Sequence, residues 1–242
     1  MNDAPATVPT VLPDDIAPRN ETEAAILSRR SVRGFLPTPV DRATIAHLLD
    51  VAARAPSGTN MQPWRVIALA GAELRAFCEA VVSAFESGAE PDGSERAYYP
   101  KPLHEPYIAR RRKIGWDMYG LLGIGRGEKA KAAAHVVRNL HFFGAPVGLI
   151  CTIDRRLEIG SWLDYGMFLQ NLVTAARGRG LDTCAMAVFA EFPVTIRRLL
   201  AIDDGDEIVC GMAIGHEDTA APANALRTER VTAAGFAEFR GF

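Results

Sequence analysis

The sequence predicts an α/β or α+β sandwich, and three observations carry that expectation. Short apolar runs of strand character alternate with longer segments of helical spacing, the pattern of sheets covered by helices. Apolar residues make up 48% and charged residues 23%, a balance that lets a full hydrophobic core close. The chain has 242 residues, enough for one large domain or two small ones, with no internal repeat or low-complexity linker dividing it.

Residues 1–20 hold Pro5, Pro9, Pro13 and Pro18, with no basic start and no unbroken apolar run. They read as an extended arm, either lying on a partner subunit or disordered, and not as an export signal. Residues 21–242 read as one domain. A short helix is expected over 21–29. Asp41 is a good N-cap for a helix over 42–54, where Ile45, Leu48, Leu49 and Ala52 share a face and Pro56 ends the run. A buried strand over 65–70 and a helix over 72–85 follow. Residues 87–101 hold Gly88, Pro91, Gly93 and Pro100 with Tyr98 and Tyr99, and read as a loop. It is a surface connection or, within an insert at about 87–125, a lid over a site. A helix over 105–122 carries Arg110, Arg111, Arg112 and Lys113, a run that reads as a solvated face. Strands are expected over 145–153, 183–188 and 207–214. A strongly apolar helix over 162–177, ended by Gly178 and Gly180, belongs in the core or at a subunit interface. A short helix over 193–200, an arm over 222–230 and an amphipathic tail to Phe242 complete the chain.

The formal charge of −2 gives no reason to expect nucleic acid or an anionic membrane as partner. The cysteines, Cys78, Cys151, Cys184 and Cys210, are scattered, three of them in apolar runs. They read as small buried hydrophobes of a reducing cytoplasm. The five histidines show no ligand spacing, so no metal is expected.

Two polar clusters flank the second predicted helix. Arg29, Arg30, Ser31 and Arg33 put planar guanidinium forks, suited to phosphate, into five residues. Taken alone that segment reads as a basic helix end meeting the C-terminal dipole. The second cluster, Pro56-Ser57-Gly58-Thr59-Asn60-Met61-Gln62-Pro63-Trp64, changes the reading. A helix-to-strand loop rarely needs so many hydrogen-bonding groups between two prolines. Together the clusters suit a ligand with an anionic tail and a flat polar ring, a flavin mononucleotide (FMN). No G-x-G-x-x-G follows the first strand, no G-x-x-x-x-G-K-[ST] occurs, and no G-x-S-x-G elbow points to a hydrolase. The segment Gly123-Ile124-Gly125-Arg126-Gly127 follows a helix, not a strand, which argues against a Rossmann phosphate loop.

These two motifs, with Val209-Cys210-Gly211-Met212-Ala213-Ile214-Gly215-His216 and Asn224-Ala225-Leu226-Arg227-Thr228-Glu229-Arg230, resemble the FMN-dependent nitroreductase family from about residue 22 onward. The C-terminal pattern resembles its nitrobenzoate- and dinitroaniline-reductase-like branch. The resemblance implies an α+β three-layer sandwich, a mostly antiparallel sheet flanked by helices, in an intertwined homodimer with two FMN sites lined by both chains. It implies that Arg29, Arg30, Ser31 and Arg33 hold the phosphate, ribityl chain and pyrimidine edge. Pro56, Ser57 and Asn60, with Gln62, would come from the other subunit. Ala187, Val188, Phe189 and Ala190 would lie along the ring, the backbone of Phe189 and Ala190 near flavin N5. Arg227 and Arg230 would close on the phosphate. Thr59, Tyr98, Tyr99 and Tyr107 would face substrate.

Family members with Pro-x-Glu-Gly beside the ring differ from Ala187-Val188-Phe189-Ala190 here, so only the backbone role carries over. The reaction implied is NAD(P)H-dependent reduction of nitroaromatics, and of quinones, in ping-pong order, with no catalytic side chain. NADPH is expected over NADH should the 110–113 basic run border the site and meet a 2′-phosphate. A dehalogenase on the same fold, a flavin-binding protein without turnover and a basic interaction module are the rival expectations.

Overall fold

The computed structural model describes residues 9–87 and 94–242. Residues 1–8 of the expected arm and 88–93 of the expected lid lie outside the described residues. In chain order the strands and helices are β1 (Thr10–Val11), α1 (Glu21–Ser28), α2 (Arg42–Ala52), β2 (Arg65–Ala70), α3 (Gly71–Glu86), α4 (Tyr107–Leu121), α5 (Lys129–Leu140), β3 (Val147–Asp154), α6 (Ile159–Gly178), β4 (Asp182–Met186), α7 (Pro193–Leu200), β5 (Asp206–Gly215) and β6 (Arg230–Val231).

Local chemistry sets most of the boundaries. Asn20 caps α1 by accepting from Glu23 N at 2.9 Å. Asp41 caps α2, accepting from Thr44 N at 2.8 Å. Pro193 opens α7 at a position where its missing N–H costs nothing. Gly180, at φ +73, supplies the left-handed residue that turns the chain after α6.

Four strands form an antiparallel sheet in the order β2-β3-β5-β4. Every residue of β5 is buried, and all of β3 except Asp154, so each has apolar neighbours on both faces. On one face Ile150, Ile208 and Ala213 pack with Leu74, Phe77 and Val81 of α3, Leu140 of α5 and Ile196 of α7. On the other, Leu149, Cys151, Ile153 and Met212 pack with Ile45 and Leu48 of α2 and Tyr165, Phe168 and Leu172 of α6. The result is the expected three-layer α+β sandwich. All four cysteines are free and buried. Burial pushes the Cys78 thiol up to about 12, with Glu79 adding to the effect. Among the described residues no helix is long and apolar enough to cross a membrane.

Several expectations are corrected. The strand expected over 183–188 ends at Met186, and Ala187 and Val188 enter a 3-10 turn, Ala187–Glu191. That turn drives Phe189 into the core, where it stacks on Phe142 with centroids 4.6 Å apart. A β-carbon on Gly211 would stand 2.2 Å from Phe189 Cδ2, so β5 needs glycine there. Helix α5 is an addition that the sequence reading does not contain. The tail after β6 holds a short 3-10 turn, Ala233–Gly235. Residues 10–11 of the arm pair with the chain's own C-terminal segment, Thr10 with Val231 and Val11 with Arg230. Residues 94–106 carry no helix or strand.

Candidate functional site

The arginine segment is held along the open edge of the sheet. Ser31 bridges Thr183 of β4, and Val32 N donates to Thr183 O at 3.0 Å. Asn224 braces the next two residues: its Oδ1 accepts from Arg33 N at 2.6 Å and its Nδ2 donates to Gly34 O at 2.8 Å. Arg138 of α5 donates to Arg33 O at 3.1 Å. Neither Asn224 nor Arg138 receives a role from sequence reasoning. Asn224 opens the C-terminal motif, which was its only signal.

The guanidiniums that result are mostly unneutralised. Arg29 is half-buried, and burial first, then the charge of Arg230, lowers its pKa. Among the described residues the Arg33 guanidinium donates to Ser31 O at 3.2 Å and to no other group. Arg230 bonds to Thr228 Oγ1 at 2.7 Å and Glu229 O at 2.9 Å, and Arg227 to Asn224 O at 2.9 Å. Among the described residues no carboxylate pairs with Arg29, Arg33, Arg227 or Arg230. Arg30 differs: it forms an ion pair with Glu217, while its buried Nε has no partner. A cluster of like charges, partly desolvated and lacking counter-charge, is suited to binding an anion.

The second cluster is a strained turn. Thr59, Asn60 and Gln62 have φ of 50, 62 and 50, a region costly for residues with a β-carbon. Hydrogen bonds from backbone N–H groups hold it. Gly58 N donates to Asp164 Oδ2 of α6 at 3.0 Å, Gln62 N to Ser57 Oγ at 3.1 Å, and Asn60 N to Ser57 O at 3.0 Å. Pro56, Thr59, Asn60 and Gln62 thereby face outward and exposed. Asp164 also lacks a sequence-stated role, although an acid inside an apolar helix was a signal. Asp164→Ala is expected to lower stability by about 1.5–3 kcal/mol in urea unfolding, because the buried acceptor of the turn is lost. Asp164→Asn, which keeps an acceptor, should cost less.

Within one chain the two clusters do not meet. The turn is tied to Asp164, near the start of α6, whereas Ser28, beside Arg29, accepts from Arg177 Nε at 3.0 Å near its end. Thirteen residues of helix separate those anchors, about 20 Å. Tyr98 lies with the turn's end of the molecule. It lines a cavity of about 340 Å³ with Arg96, Trp162, Tyr165 and Glu207. Arg96 Nε donates to Glu207 Oε1 at 3.1 Å, and its guanidinium lies 5.3 Å from the centre of the Trp162 ring. Glu207 is seven residues along β5 from Ile214, the partner of Thr183, roughly 23 Å. Tyr99 packs against Tyr98 at 5.2 Å, and Tyr107, at the start of α4, against His104 at 5.3 Å. The Ala187–Glu191 turn follows Met186, which opposes Gly211 between the two ends of β5. One chain thus assembles Arg29, Ser31, Arg33, Arg227 and Arg230 in one region, and Pro56 to Gln62 with Tyr98 in another.

Known proteins resemble this chain in sequence and in fold. A sequence profile described as the Nitroreductase family matches residues 26–216. The chain is 44% identical over 223 residues to a 4-nitrobenzoate reductase of Pseudomonas putida, covering 92% of this chain and 97% of that protein. It is 38% identical over 214 residues to a nitrobenzene nitroreductase of Ectopseudomonas oleovorans, 88% and 94% respectively. A crystal structure of the FMN- and NADPH-dependent nitroreductase NfnB from Sphigopyxis sp. strain HMH superposes with a TM-score of 0.88 at 36% identity, covering 91% of this chain and 99% of that one. The FMN-dependent NfnB from Mycobacterium smegmatis, in complex with NADPH, gives 0.86 at 27% identity, covering 91% and 98%.

Proposed function

Because the chain belongs to the nitroreductase family, we propose that it is a homodimeric FMN enzyme reducing nitroaromatic compounds, and quinones, with NAD(P)H. The observation that carries the reading is the set of arginines, Arg29, Arg33 and Arg230, gathered on the sheet edge with no carboxylate paired to them among the described residues. The residues fit the cofactor's anionic tail: a bound phosphate would relieve the repulsion between Arg29 and Arg230 and give the buried guanidinium its missing partner. The unpartnered Nε of Arg30 offers one further donor.

A second copy of the chain completes the site in this reading. The strained turn carrying Pro56, Ser57, Thr59, Asn60 and Gln62 is anchored on α6 about 20 Å along the helix from Arg177, which holds Ser28 beside the arginines of the same chain, so in this reading the flavin that those arginines grip is flanked by the partner's turn. Helix α6 supports the pairing. Its outward face presents Ile159, Leu163 and Met167, 79%, 68% and 39% exposed, at helical spacing. The flanking helices α2 and α1 add exposed Val51 and Ile26. An apolar stripe of that length suits an interface between copies.

When bound, FMN supplies the redox chemistry, carrying a hydride from NAD(P)H to the nitro group. The protein's own part is to bind and orient. Arg29, Ser31, Arg33, Arg227 and Arg230 fix the tail, while the backbone of Phe189 and Ala190, in a turn locked by the buried Phe189 ring, borders the reacting edge. No side chain need act as acid. One pocket serving both substrates in turn gives parallel double-reciprocal lines. A cytoplasmic setting, where thiols stay reduced, suits four free cysteines.

The purified protein should be yellow. NADPH should bleach the visible band, and 4-nitrobenzoate or nitrobenzene should restore it, a cycle that a flavin-storage protein would not complete. Arg29→Ala with Arg33→Ala should weaken FMN binding by at least about a hundredfold, since each charged contact is worth about 1.5–3 kcal/mol. Retention of full colour through gel filtration would sink the assignment.

A further inference from the structure

Helix α4 borders a cavity of about 480 Å³ lined by Leu103, Ile108, Arg111, Arg112, Trp116 and Tyr119. The volume lies within the range, about 300–1,000 Å³, of sites that bury a drug-sized ligand. Arg111 and Arg112 stand on its wall, and among the described residues no carboxylate pairs with either. Their neighbours in the basic run are engaged elsewhere. Lys113 bonds to Asp117 at 2.7 Å and approaches Glu229 at 3.9 Å, and Arg110 lies 5.9 Å from the centre of the Tyr107 ring. Trp116 is 57% exposed, a large apolar ring facing open space beside two free charges.

Another flank of the same helix fixes where the cavity sits. Ile114, Met118 and Leu122 pack on Ala223 and Leu226. That packing, with the approach of Lys113 to Glu229, attaches α4 to the segment carrying Arg227 and Arg230. The cavity therefore neighbours the arginine cluster without being part of it. Paired arginines recognise a phosphate monoester by parallel hydrogen bonds, and an indole face stacks a flat heteroaromatic ring.

We propose that this cavity seats the adenosine 2′-phosphate end of NADPH, with the phosphate on Arg111 and Arg112 and the adenine against Trp116. The proposal rests on the reading of the protein as an NAD(P)H-dependent flavin reductase, and deepens it by assigning the nucleotide preference to two residues. NADH lacks the 2′-phosphate and leaves both guanidiniums unused, so the pair discriminates between the nucleotides.

The test is steady-state kinetics on the FMN-loaded Arg111→Ala/Arg112→Ala variant with both nucleotides. KM for NADPH should rise roughly ten- to hundredfold, while KM for NADH stays within about twofold and kcat and FMN content stay at wild-type levels. Adenosine 2′,5′-bisphosphate should compete with NADPH on the wild type and lose that competition in the variant. Trp116→Ala, at an exposed position, should raise KM for both nucleotides. Equal effects of the double variant on NADH and NADPH overturn the proposal. So does a rise confined to KM for the nitroaromatic, which would make the arginines a carboxylate site, and so does a wild type that uses both nucleotides equally well. A protein that binds no FMN, or oxidises neither nucleotide, defeats the functional reading itself and this proposal with it.

Discussion

A variant carrying Leu163→Glu and Met167→Glu will run as a monomer in light scattering and lose its FMN, although none of its own arginines has changed. Both side chains lie on the exposed face of α6, away from the core residues Tyr165, Phe168 and Leu172 of the same helix. The fold of the single chain should therefore survive. In a two-fold interface each substitution occurs twice, so four carboxylates would have to leave water together. Burying charge without partners costs several kcal/mol per group, more than an interface of ordinary strength can absorb. In the proposed shared site, cofactor loss then follows from the separation along α6: the arginines would keep the phosphate end, but the turn from Pro56 to Gln62 would depart with the other subunit. FMN affinity should fall by on the order of a hundredfold, the loss of about 2.8 kcal/mol. A monomer that remains yellow would refute the shared site while leaving the arginine cluster intact.

Gly211→Ala should be the most destabilising single-methyl change in the sheet. The added β-carbon would fall 2.2 Å from Phe189 Cδ2 and 2.6 Å from its Cε2, and the ring has nowhere to go. It is fully buried, stacked on Phe142 and in tilted contact with Phe77 at 6.1 Å. Overpacking of a closed core costs about 1–3 kcal/mol, which for a chain of this size lowers the melting temperature by roughly 2–4 °C per kcal/mol. The displacement would also move the Ala187–Glu191 turn, so FMN affinity should drop along with stability. An unchanged melting temperature would show that the ring can rotate aside.

The elements legible in the sequence are those whose ends are written in local chemistry. Residues 65–70 and 193–200 match β2 and α7, and Asp41 caps α2 as expected. The end of β4 was hidden because Thr183 to Val188 is one unbroken mixture of small and apolar residues, and nothing local says that Phe189 must turn inward. The sheet order was hidden for a related reason. Strands β3 and β5 are buried on both faces, so they carry no alternation from which to read register or direction. Helix α5 has helical spacing and only Leu140 fully buried, yet its sequence lies between a glycine-rich loop and a strand and draws no attention as a motif. For the candidate site, the Pro56–Trp64 stretch stands out by composition, whereas the arginine segment alone reads as a basic helix end and gains a binding reading only beside that stretch. Asn224 and Asp164 do not stand out, because what they do is bond to backbone 190 and 106 positions away. That information belongs to the tertiary structure.

The four buried cysteines bear on how such a catalyst would endure its own work. Partial reduction of a nitroarene gives a nitroso compound, an electrophile that thiolates attack. Every thiol of this chain sits inside the sandwich, and burial raises the pKa of Cys78 and of Cys184. The access that such a reaction requires is not available to any of the four in the folded state. The thiols of the folded protein would thus be shielded from its own reactive product, and their modification during long turnover would require local or global opening.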